Sequence, residues 1–127
     1  MSSVPWLWPN STITRIIDGD SFTARVSRDL GFHGTAVFEV RLRLNRVNAP
    51  PAKTIPGTRA TDYFAALVRN GAGIPSVPVL IETVKAYKFG DEWMAEVTLP
   101  DGRNVSDVMV ADGMAVYWDG TGPRPGG

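Results

Sequence analysis

The chain has 127 residues, 43% hydrophobic and 20% charged, with Lys+Arg and Asp+Glu both at 13. That is enough for one domain with a single core, and the zero net charge withholds the broad attraction that a polyanion binder draws on. The absence of cysteine and the single histidine, His33, exclude disulfides, thiolate metal sites and a His-rich zinc centre.

The opening MSSVPWLWPN is apolar but short, lacks a basic leader and is broken by Pro5 and Pro9. It reads neither as a signal peptide nor as a membrane span, so a cytoplasmic protein without membrane contact is expected. The expectation for residues 1–10 is an extended N-terminal arm. Its Trp6 and Trp8 either cover a hydrophobic edge of the domain or dock a protein partner or a second copy. The domain itself is expected over 11–118, followed by a flexible tail, 119–127, reading DGTGPRPGG.

From Ser11 the pattern is that of a strand, leading through Ile13 and Arg15 to Ile16-Ile17 and a tight Asp18-Gly19-Asp20 turn. Ser21 to Arg28 alternates, with Phe22, Ala24 and Val26 on one face. Asp29 to Gly34 reads as a hairpin connection that leaves His33 solvated. Val37 to Val47 is the longest strand expected. It sets Val40, Leu42 and Leu44 against Glu39, Arg41 and Arg43, so Arg41 and Arg43 share a face. Asn48-Ala49-Pro50-Pro51 ends it.

A helix is expected over Thr58 to Val68, with Thr58 as N-cap and Gly71 as stop. A Gly/Pro-rich connection then runs to Pro78. Strands are expected at Val79–Val84 and Trp93–Leu99, joined by a polar turn around Gly90. Asn104 is placed to cap a short helix that buries Val105, Val108 and Met109 and stops at Gly113. Ala115 to Trp118 is a last extended piece. The order β-β-β-α-β-β-α suits an α+β protein, a five-stranded β-barrel of OB type with helices.

Four stretches, RIIDGDSF at 15–22, RLRLNRVNAPP at 41–51, the helix near 58–70 and LPDGRNVSDVMVADGMAVYW at 99–118, together resemble the staphylococcal nuclease (thermonuclease) family. The resemblance runs from residue 12 to residue 118. It implies a five-stranded OB barrel and calcium-dependent hydrolysis of DNA and RNA phosphodiesters. It also implies two acids on Ca2+, two arginines on the phosphate and a glutamate that activates water. The family's third, C-terminal helix has no counterpart in the sequence. The DLGF segment at 29–32 further resembles compact members from actinobacteria and their phages, and a phage-encoded member would be virion-associated.

Carried over residue by residue, the match is partial. Asp20 falls on the first calcium ligand, Asp18 on the acid that supports it, and Arg43 on the first phosphate-binding arginine. These make Asp20 and Arg43 the catalytic candidates, with Asp20, Asn48 and Asp18 as the metal set. Asn48 stands where the family has its second calcium aspartate, and Ala49 replaces a hydroxyl residue. Pro51 falls on the general base and has none to offer. The second arginine is lost near Asp91 or Trp93. Arg41, Arg43, Lys88 and Trp93 are the substrate-binding candidates, Lys88 only as a point charge.

A lost general base removes about 10²–10⁴ in rate and a lost oxyanion donor about 10²–10³. The leading expectation is therefore a catalytically degenerate nuclease-like barrel that binds single-stranded DNA or RNA, or a protein. An active divergent nuclease, with Asp91 or Glu92 as substitute base, is the alternative. A structural or assembly protein that keeps only the scaffold is the third. For Asp18, Asp20 and Arg43 two readings stay open: residual phosphate or cation binding, or a turn plus an internal Asp20–Arg43 pair.

Overall fold

The structure, a computed structural model, describes residues 6–71, 73–86 and 92–118. In chain order its elements are β1 (Trp6–Ile16), β2 (Ser21–Asp29), β3 (Thr35–Leu44), β4 (Val47–Asn48) and α1 (Ile55–Val68). There follow β5 (Arg69–Asn70), β6 (Gly73–Ser76), β7 (Val79–Ala86), β8 (Trp93–Thr98), α2 (Val105–Ala111) and β9 (Val116–Tyr117). Five strands close a barrel in the order β1-β2-β3-β8-β7, antiparallel except for the β3–β8 pair. With two helices packed on it, this is the α+β barrel of OB class expected from the element order.

The β2–β3 register runs unbroken from Ser21↔Arg43 to Asp29↔Thr35. Alternation along it sends Phe22, Ala24, Val26, Leu42 and Leu44 into the core. Phe22 meets Phe64 of α1 edge to face at 5.4 Å, the contact that seats the helix on the barrel.

The N-terminal arm is corrected in part. Trp6 to Asn10 belong to β1, and they pair with β7 through Trp6↔Thr83, Leu7↔Glu82 and Trp8↔Ile81. Pro9 is tolerated because it falls in a register shift between Trp8 and Ser11, beside Asn10 at φ 57°. Trp8 packs against the core and its indole N–H donates to Thr83 Oγ1 (3.2 Å), whereas Trp6 stays 47% exposed.

Three other boundaries move. β3 begins at Thr35 and stops at Leu44, because Arg46 adopts φ 69° and turns the chain before β4. The helix starts three residues before Thr58. Thr54 is its N-cap, accepting from Gly57 N at 3.0 Å, with Pro56 in the first turn, where no intrahelical N–H is needed. The connection after α1 contains a small hairpin, β5 with β6. α2 forms where expected, with Asn104 Oδ1 accepting from Asp107 N (3.0 Å), although Val108 is only half-buried. Lys88, Asp91, the turn around Gly90 and the tail 119–127, and with it the expectation of no third helix, lie outside the described residues. No helix among the described residues is long and apolar enough to cross a membrane.

Candidate functional site

The Asp18-Gly19-Asp20 turn is pressed against α1. A Cβ on Gly19 would stand 2.7 Å from Ala60 Cβ and 2.8 Å from Ala49 Cβ, so only glycine fits between them. Asp18 Oδ1 accepts from Asp20 N at 3.0 Å, the Asx-type bond that shapes the turn. Asp20 O in turn accepts from Leu44 N (2.8 Å), which sets the turn beside the end of β3.

This geometry brings Asp20, Arg43 and Asn48 together, as the resemblance implied, but in a closed form. Arg43 Nη2 lies 3.0 Å from Asp20 Oδ2 and donates to Asn48 Oδ1 at 2.8 Å. Asp20 Oδ2 also accepts from Ala49 N (2.8 Å). Asp20 is 1% exposed, Arg43 2% and Asn48 4%. The cover comes from the far end of the chain. β9 pairs with β4 through Val47↔Tyr117 and Asn48↔Val116, and Trp118 N donates to Arg46 O at 2.7 Å. Trp118 is thereby laid against the Arg43 guanidinium, 5.9 Å from carbon Cζ to ring centroid, and packs on Met94.

Burial pushes the Asp20 carboxyl up to about 7, helped by the Asp18 side chain; the Arg43 guanidinium and the Ala49 N–H pull the other way. Ca2+ takes 6–8 oxygen ligands. Of the oxygens the resemblance offers, Asp20 Oδ2, Asn48 Oδ1 and Asp18 Oδ1 are each already bonded within the protein. Among the described residues no group of three His, Cys, Asp or Glu side chains could hold a metal. The three side chains offer two carboxylates and one amide oxygen, so the rest of a Ca2+ shell would have to come from backbone carbonyls and water.

The remaining candidates lie outside that cluster. Arg41 shares the outward face of β3 with Arg43 but is exposed, and its Nε donates to Glu92 Oε2 at 3.1 Å. Glu92, the candidate substitute base, is thereby tied to an arginine. Trp93 is 48% exposed at the start of β8, paired with Leu42. Pro51 is held at the approach to α1, its carbonyl accepting from Thr54 N (3.0 Å) and Thr54 Oγ1 (2.7 Å). Gly57 passes so close to that carbonyl that a Cβ there would overlap it.

A second arginine-centred cluster was not legible in the sequence. Arg46 makes a two-toothed pair with Glu96, Nε to Oε2 at 2.8 Å and Nη2 to Oε1 at 2.9 Å. It also donates to Asp107 Oδ1 (2.9 Å), which accepts from Tyr117 OH (3.0 Å). Asn45 and Asn104 donate to Glu96 at 2.7 and 2.8 Å. Burial alone would raise the Glu96 carboxyl; bonds from Arg46, Asn104 and Asn45 overcome it and hold it below its ordinary value. This clasp joins β8, the turn before β4, α2 and β9. The sequence signal for it is Glu96 among the apolar residues Trp93, Met94, Ala95 and Val97 of β8, and nothing in the spacing pairs it with Arg46.

No family model matches the chain. Two curated relatives, each named an uncharacterized endonuclease, one from Escherichia coli O157:H7 and one from Escherichia coli, are 27% identical over 118 residues. Each match spans 88% of this chain and 67% of the relative. Together with the closed barrel, these distant similarities support a nuclease-like domain of OB class.

Proposed function

We propose that this chain is a catalytically degenerate nuclease-like barrel that binds single-stranded nucleic acid without hydrolysing it. The observation that carries the reading is the burial of the Asp20–Arg43–Asn48 cluster beneath Trp118. The Arg43 Nη2 is held by a carboxylate and an amide, and the guanidinium is sealed beneath Trp118, so a phosphoryl group reaches it only if the cover opens and the buried pair breaks, which is costly. Pro51 supplies no base, and Glu92 is bonded to Arg41. In this reading calcium is not bound and Asp18 serves only the turn.

Binding is assigned to the exposed ring of Trp93 at the start of β8, the kind of surface on which single strands stack without base readout. Arg41, on the adjoining strand but the opposite face and paired with Glu92, takes no part in it. The E. coli relatives named endonucleases make nucleic acid the favoured class of partner. The test is titration of the protein into labelled oligo-dT at several salt concentrations. Affinity that falls with salt and weakens at least about fivefold in Trp93→Ala supports it, within the range of ~1–3 kcal/mol for one stacked base. No binding at low salt overturns it.

A further inference from the structure

The first strand of the barrel is two pieces joined at a bend. In its inner half Thr12 to Ile16 pair with β2, Ser11 is fully buried, and Ile13 N donates to Ser76 Oγ (2.8 Å). In its outer half Trp6, Leu7 and Trp8 pair, among the described residues, with β7 alone, through Thr83, Glu82 and Ile81. Between the halves Pro9 has no N–H to give a ladder, and Asn10 takes φ 57°, a left-handed conformation uncommon outside glycine. Both are exposed.

The pairs made by Trp6, Leu7 and Trp8, with Ser11↔Val79, are the seam that closes the barrel between β1 and β7. From the opposite side the β2–β3 ribbon reaches this outer half through side chains. Arg28 of β2 lies over Trp6 and Trp8, 4.1 and 4.7 Å from their ring centroids, and the two indoles stack at 5.9 Å. Phe38 of β3 meets Trp8 edge-on at 6.3 Å. Among the described residues Arg28 has no carboxylate partner, so its charge rests on the indole faces.

We infer that residues 6–10 form a hinged strap that lifts from β7 as a unit about Pro9 and Asn10, and that Arg28 is its latch. The two halves of β1 are held unequally. Local opening takes place where few apolar contacts hold a segment, and here Trp6 and Leu7 are exposed while Trp8 alone packs on the core. The β2–β3 ladder is unbroken, so the strap moves against a ribbon that stays in place. Arg28 stands on that ribbon and touches both indoles at once, which makes it, with the edge of Phe38, the tie between ribbon and strap. Lifting uncovers the core beneath Trp8 and frees residues 81–83 along the edge of β7 that faces away from β8.

The experiment is native-state hydrogen exchange of the whole protein, followed by NMR at low urea concentrations. In the wild type, amides of the ladder between residues 6–8 and 81–83 are expected to exchange about a hundredfold faster than those of the β2–β3 ladder at Phe22 to Val26. They are also expected to respond less to urea, because a local opening exposes less surface than unfolding does. Arg28→Ala is expected to speed the strap amides about tenfold, the scale of the lost cation–π contacts. Arg25→Ala is the control, an arginine of the same strand that pairs with Glu39 and is expected to leave the strap amides unchanged. Exchange of both ladders at one rate and one urea dependence in the wild type overturns the proposal without any variant. So do strap amides that Arg28→Ala leaves unmoved, or that Arg25→Ala speeds as much. Trp93 pairs with the other edge of β7 and no oligo-dT is present, so this inference and the proposed function fail independently.

Discussion

Arg43 and Arg46 are three residues apart, and both hold a carboxylate, yet their surroundings are opposite. Arg43 is sealed with Asp20 and Asn48 under Trp118. Arg46, with 41% of its side chain exposed, clasps Glu96 and Asp107 at the surface end of the same turn. The φ of 69° at Arg46 is what separates them, because it reverses the chain between the end of β3 and β4. β9 then serves both: its strand pairing covers Arg43, and its Tyr117 hydroxyl joins the Arg46 clasp. The position that resembles a phosphate-binding arginine has thus become part of the core. The unremarked arginine beside it ties the cover down.

Breaking the sealed pair has the largest expected effect. Arg43→Ala leaves Asp20 buried without its cation and is expected to cost about 3–5 kcal/mol in urea unfolding. Replacing both partners, Asp20→Leu with Arg43→Met, is expected to recover most of that loss, since the desolvation cost disappears with the charges. Recovery would mark the pair as structural. Next in size, Gly19→Ala forces the turn off Ala49 and Ala60 and is expected to cost about 1–3 kcal/mol. Arg46→Ala is expected to cost only about 1 kcal/mol, because half-exposed ion pairs are screened even when geometry is good.

The effect that separates the two regions most cleanly is on pH dependence. Asp20 has its folded carboxyl raised from 3.8 to about 7, so the folded state binds the extra proton. Its contribution is present at acid pH and lost as pH rises from about 4 to about 7. Glu96 and Asp107 are shifted down, so their contribution is present above the ordinary carboxylate range and lost as pH falls through their folded values. Asp20→Asn is therefore expected to flatten the fall in unfolding free energy between pH 4 and pH 7. Glu96→Gln is expected to flatten the loss on the acid side.

The barrel was legible where alternation and turn chemistry coincide. Phe22, Ala24 and Val26 marked β2, the DGD turn marked its start, and Asn104 marked α2. Pro5 and Pro9 look like strand breakers, and no sequence pattern announces that Pro9 sits in a bulge that lets β1 continue through it. The start of α1 differs because Thr58 offers a second capping side chain, whereas Thr54 is the residue that caps the helix, with Pro56 and Gly57 in its first turn. At the site, Asp20, Arg43 and Asn48 are in mutual contact in the fold. Their closure depends on Trp118, more than sixty residues away, whose approach follows from β9 pairing with β4. Long-range pairing of two-residue strands leaves almost no trace in a sequence, so the difference between an open and a sealed arginine could only be seen in the fold.

The central claim, that the Arg43 region is a sealed core rather than a working site, is tested most directly by hydrolysis of labelled single-stranded DNA with excess calcium and with chelator. The expected result is no calcium-dependent cleavage under either condition. Calcium-dependent cleavage that tracks the protein through purification, and disappears in a folded Asp20→Asn variant, would contradict it.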